Sequence, residues 1–147
     1  MKRSLHLLIT MLLMCIIGVM TGHAQSTYTV SFNNSTITQS TEGWFDLGTK
    51  HSINKKYTGT YDGVTYNSGL KMESATTVKF TTTANATITI VQSTATNGSY
   101  TFKFDGTEVP LSDGAADAVN TVIVYTKSIA AGEHSITRNQ KEMGILF

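Results

Sequence analysis

A chain of 147 residues that is 40% hydrophobic, 9% aromatic and 14% charged, with a formal net charge of +1, holds enough apolar material for one packed core. Its lysines are scattered instead of gathered into a stripe, which removes the electrostatic footprint that nucleic acid requires. The one cysteine, Cys15, lies in an apolar leader, so disulfides, thiol nucleophiles and Cys-type zinc sites are excluded from the rest of the chain.

Met1 to Ala24 has a basic start at Lys2 and Arg3, an apolar run from Leu7 to Met20 and a Gly-His-Ala exit. This predicts a secretory signal peptide cleaved after Ala24, leaving one domain over residues 25–147. The run is too short for a spanning helix and no second one follows, so no membrane span is expected. Acylation at Cys15 is disfavoured because Leu13 and Met14, not small residues, precede it. Without Lys2 and Arg3, nine basic residues face ten acidic ones, a formal net charge of −1.

Beyond the leader, two-residue alternation replaces helical periodicity. Tyr28, Val30 and Phe32 alternate with polar residues in a first strand, which Asn33 to Ser35 breaks. Gly43 to Gly48 is a short aromatic segment bounded by glycines, and His51 to Thr60 reads as an exposed polar connection. Asp62-Gly63 and Asp105-Gly106 predict tight hairpins, because primed turns need residues that tolerate positive φ. Leu70 and Met72, then Val78 and Phe80, alternate with polar residues on either side of a turn at Ser74 to Thr76. Ala86 to Val91 is the next strand, and Thr94 to Ser99 is a loop. Tyr100, Phe102 and Phe104 line one face of another strand, and Ser112 to Asn120 reads as a loop. The apolar run Val122 to Tyr125 suggests a central strand buried on both faces. Ala131-Gly132-Glu133 turns the chain toward His134 and Ile136, and Met143 to Phe147 is a last apolar strand. Some nine or ten strands at this spacing predict an all-β, two-sheet sandwich of the jelly-roll type.

Catalytic signals are thin. His51 and His134 lack ligand-spaced partners, and no phosphate loop or Gly-x-Ser-x-Gly elbow is present. No pair among Asp46, Glu73, Asp105 and Glu133 is marked for glycoside hydrolysis, and nothing calls for a metal or cofactor. Sugar binding is better supported: aromatic rings stack on the apolar faces of pyranoses, and Trp44, Tyr57, Tyr61 and Tyr66 cluster in the loop-rich part of the chain. Tyr57 and Tyr61 are expected to be exposed, whereas Trp44, flanked by Phe45 and Leu47, is more often a core plug than a platform. Lys55, Lys56, Lys71 and Lys79 suit the carboxylates of an acidic polysaccharide, although solvated strand faces carry lysines too. A sandwich that docks another protein through a sheet edge is the other reading of the same pattern.

Ser68 to Glu73 (SGLKME), Phe80 to Thr82, Phe104 to Thr107 and Ala131 to Thr137 (AGEHSIT) give the chain a resemblance over Trp44 to Phe147. They resemble the β-sandwich domain attached to secreted bacterial pectate lyases and related polysaccharide-degrading enzymes. In that family the sandwich accompanies a catalytic β-helix; here the chain ends with the sandwich, so lyase activity does not carry over. The resemblance implies an exported, non-catalytic accessory protein, periplasmic, secreted or at the cell surface. Its partners would be a pectin-like polysaccharide and a degrading enzyme. The resemblance itself assigns no binding residues; the aromatic clustering and the strand face make Trp44, Tyr57, Tyr61, Tyr66 and Lys71 the candidate ligand contacts.

Overall fold

In the computed structural model, which describes residues 26–94, 101–110 and 122–147, alternation becomes strands throughout. They are β1 (Val30–Ser31), β2 (Thr38–Gln39), β3 (Ile53–Asn54), β4 (Gly59–Tyr61), β5 (Val64–Tyr66), β6 (Gly69–Met72), β7 (Thr77–Thr82), β8 (Ala86–Ser93), β9 (Phe102–Phe104), β10 (Thr107–Glu108), β11 (Ile123–Ile129), β12 (Gly132–Arg138) and β13 (Met143–Ile145). Among the described residues, one 3-10 turn at Asn33–Ser35 interrupts them. The leader, Tyr100 and the loops expected over residues 95–99 and 112–120 lie outside the described residues.

Two antiparallel sheets form the sandwich. One has the order β10-β9-β12-β7, the other β11-β8-β13-β6-β3. Asp46 extends the first past β7, because its N–H and C=O each bond Lys79 at 2.8 Å. The inward residues are those the alternation selects: Leu70, Met72, Ile90, Met143 and Ile145 meet Val78, Phe80, Phe102, Phe104 and Ile136. Both Asp-Gly pairs adopt positive φ, Asp62 and Gly63 at 48° and 74°, Asp105 and Gly106 at 51° and 76°.

A second, smaller core lies on the other face of the five-stranded sheet, where Tyr57, Tyr66, Val91 and Leu146 pack with Tyr61, Val122 and Phe147. Consecutive strand residues point to opposite faces, so Ile90 serves the main core and Val91 this one. The β4–β5 hairpin, carrying Tyr61 and Tyr66, covers that face.

Two expectations change. Among the described residues β11 pairs only with β8, at the edge of its sheet, and Val124 is 41% exposed, so the run from Val122 is not buried on both faces. Its apolar character is divided instead: Tyr125 enters the main core and Val122 the smaller one. His51 to Thr60 is not wholly exposed either, for β3 pairs with β6 and Tyr57 is 1% exposed.

Candidate functional site

Lys71 lies between Leu70 and Met72, both turned into the core, so its side chain points to the opposite face, where it is 23% exposed. Its cross-strand neighbour is Gly144. With no side chain there, and none at Gly69, the Tyr57 ring lies against the sheet beside Lys71. The Tyr57 hydroxyl donates to Glu142 Oε1 at 2.6 Å, and Lys71 Nζ reaches Glu142 Oε2 at 3.1 Å and Glu73 Oε1 at 2.7 Å. A turn held by the Lys56 N–H on Asn54 Oδ1, at 2.9 Å, brings Lys56 and Tyr57 to this place.

The charges act on one another. Hydrogen bonds to Glu73, then to Glu142, hold the Lys71 ammonium above the ordinary lysine range. Burial pushes Glu142 up, but the Tyr57 hydroxyl, Lys71 and Lys56 together outweigh it and leave its carboxyl below the usual value. Burial, reinforced by Glu142, pushes the Tyr57 phenol far above its ordinary value. Glu142 therefore accepts from a neutral phenol and faces two cations, which fixes the Lys71 ammonium at the rim of the sheet.

The five candidate contacts do not form one platform. Tyr57 and Lys71 meet through Glu142. Trp44, packed against the main core, and Tyr61, packed against the smaller one, are both half-buried and line one cavity of about 610 Å³. Tyr66 is 6% exposed in the smaller core, and burial raises its phenol pKa. Tyr57 and Tyr66 are thus unavailable as stacking rings: the hollow above Gly69 and Gly144 and the fold of the β4–β5 hairpin enclose them. Trp44 stacks on Tyr28 at 4.4 Å with 2° between planes, and on Phe80 at 5.4 Å. Glu142 and Tyr28 were not singled out from the sequence. Glu142 reaches Tyr57 across 85 positions, which no local pattern reports, but a glycine inside the apolar strand Met143–Ile145 is a readable sign of a close approach.

His134 has a structural setting. Its Nδ1 lies 2.8 Å from Asp105 Oδ2 and its Nε2 3.0 Å from the Ala130 carbonyl, while its ring packs against Phe80 and Phe104. Among the described residues, no group of three or more His, Cys, Asp or Glu is placed to hold a metal ion.

The chain belongs to the carbohydrate binding module 77 family, whose model matches residues 26–147. It is therefore a non-catalytic carbohydrate-binding module, and the resemblance drawn from the SGLKME and AGEHSIT segments is borne out. A solved chain from work on "The complexity of the Ruminococcus flavefaciens cellulosome reflects an expansion in glycan recognition" is similar at 29% identity, with a TM-score of 0.57, over 82% of this chain and 90% of that one. No curated protein matches the chain. Family membership sets aside the reading of the sandwich as a protein-docking module without a sugar site.

Proposed function

We propose that the chain binds an acidic, pectin-like polysaccharide through the rim around Lys71, with Lys56 as a second cation. The observation that carries this is the Lys71 ammonium, held at the rim by Glu73 and Glu142 in a member of a carbohydrate-binding family. A lysine already held in place loses little freedom when a uronate carboxylate arrives, and a second cation suits a polymer with a carboxylate on each sugar. Recognition here rests on charge more than on stacking, since Tyr57 lies beneath the rim with its ring covered. Trp44 and Tyr61 stand apart from this rim as a separate aromatic site.

Residues 1–24 serve as the export signal in this reading, and residues 25–147 form the binding module. The similar chain belongs to work on glycan recognition in a cellulosome, which supports a place outside the cell beside a polysaccharide-degrading enzyme.

Affinity-gel electrophoresis against polygalacturonate, methyl-esterified pectin, galactan and cellulose tests the proposal. Retardation by polygalacturonate, weaker with esterified pectin and reduced by salt, is expected. Retardation by the neutral glycans alone, or by none of the four, would remove its support.

A further inference from the structure

The cavity that Trp44 and Tyr61 share differs in chemistry from the Lys71 rim. It lies at the end of the sandwich where β7 turns into β8, and its volume of about 610 Å³ falls within the range of small-molecule sites. Val78, Phe80, Ile90, Ile136 and Ile145, all buried, line its depth. One wall is a ring column: Tyr28 lies on Trp44 with 2° between planes, and Trp44 lies on Phe80 with 23°. At the mouth stand the exposed polar residues Ser26, Thr83, Asn85 and Thr87. Among the described residues lining it, none is charged.

Each of these features restricts the occupant. Protein interiors leave few voids larger than a water molecule, and an apolar void is a poor site for water but a good one for an apolar ligand. A charged group would lose its hydration there without gaining a partner. A sugar ring would fare little better, because its hydroxyls would face isoleucines and phenylalanines in the depth. A flat aromatic group meets the column through offset stacking or edge contacts, and a polar substituent on it would remain at the hydroxyl-lined mouth.

We infer that this cavity binds a neutral aromatic group, either an aryl ester carried by a polysaccharide or a free phenolic ester. The inference stands apart from the uronate reading, since it uses other residues and other ligands. Trp44 is the single tryptophan of the chain, so its emission reports occupancy directly.

The test titrates the full chain with methyl ferulate, a feruloylated arabino-oligosaccharide, methyl octanoate and methyl β-galactoside while Trp44 emission is followed. Saturable quenching by methyl ferulate is expected, with no saturable response to the galactoside. Ala86→Phe and Ile88→Phe both place a ring in the space the ligand would take and should weaken binding at least tenfold; cooperative thermal unfolding shows that each variant folds. Tighter binding of the feruloylated oligosaccharide assigns the group to a polysaccharide, and equal binding assigns it to a free phenolic; either outcome supports the inference. It is overturned if methyl ferulate gives no saturable quenching up to millimolar concentration, if methyl octanoate binds as tightly, or if both folded variants bind unchanged. Retardation by polygalacturonate reads the Lys71 rim and is independent of all these outcomes.

Discussion

The Tyr57 ring occupies the space that a side chain at Gly144 would fill. Gly144 has no positive φ to explain it, so its role is steric: β13 must be bare at this position for the ring to lie on the sheet. Gly69, on the neighbouring strand β6, serves the same hollow, where an added β-carbon would come 3.0 Å from the Tyr57 β-carbon and 2.9 Å from the Ile145 carbonyl oxygen. Gly144→Ala should therefore destabilise the module by about 1–3 kcal/mol, the usual cost of overpacking a core. Urea denaturation measures it. Tyr57→Ala combined with Gly144→Ala should cost less than the sum of the two single changes, because the added methyl then points into vacated space. Strict additivity would mean that the two residues do not share that space.

Glu142 couples the same ring to pH. Its carboxyl lies below the ordinary value in the folded chain, so its contribution to stability is present above the unfolded pKa, about 4.3, and is lost as pH falls through the lowered folded value. Glu142→Gln should reduce stability at neutral pH and flatten the loss below about pH 4.5. Urea midpoints from pH 7 to pH 2.5 read both effects, and a parallel acid limb in the variant would contradict the assignment. At the alkaline end the sign reverses. Tyr57 is raised in the folded state, so its contribution is complete below about pH 10 and is lost above it. Absorbance at 295 nm should show tyrosine ionisation that appears only as the chain unfolds, to which the buried Tyr66 contributes as well, and Tyr57→Phe should reduce the amplitude of that step.

On the binding side, Lys71→Ala should weaken retention by polygalacturonate about fivefold, the scale of one partly exposed charge pair. Lys56→Ala should weaken it less. Both losses should shrink as salt is raised, because the contacts lie at the rim where counterions screen them. Lys103→Ala changes a lysine on the other sheet, between the inward Phe102 and Phe104, and should leave retention unchanged. Equal losses from Lys71→Ala and Lys103→Ala would point to diffuse charge attraction without a site.

The difference between Tyr57 and the Asp-Gly turns shows where sequence reading ended. Asp62-Gly63 and Asp105-Gly106 were legible because a primed turn is decided by its own two residues. Leu70, Met72, Val78 and Phe80 were legible because a strand's period places every second residue on one face. Tyr57 was not, since its burial is decided by Gly69 and Gly144, brought beneath it by pairing between β6 and β13. Val122 to Tyr125 misled for a related reason: an apolar run looks the same whether it serves one thick core or two thin ones on opposite faces. Of the candidate contacts, Lys71 was readable from alternation alone, as was Glu73 two positions on along the same face, whereas Glu142 was not, because it comes from another strand connection altogether.

Asp105 and His134 close the other end of the sandwich. Asp105 accepts the Ser135 N–H on Oδ1 at 2.7 Å and meets His134 Nδ1 through Oδ2 at 2.8 Å, so one carboxylate ties the β9–β10 turn to β12. The Asp105 N–H in turn donates to the Ser135 carbonyl at 2.9 Å. Asp105→Asn keeps an acceptor for the Ser135 N–H and tolerates the positive φ of 51°, and should cost little. Asp105→Ala leaves Ser135 and His134 without that partner and strains the turn, and should cost about 2 kcal/mol. His134→Ala additionally removes a ring packed between Phe80 and Phe104 and should cost at least as much. Thermal unfolding of the three variants orders them. If Asp105→Asn proved as damaging as Asp105→Ala, the charge facing His134, and not the bond to Ser135, would be what holds this end together.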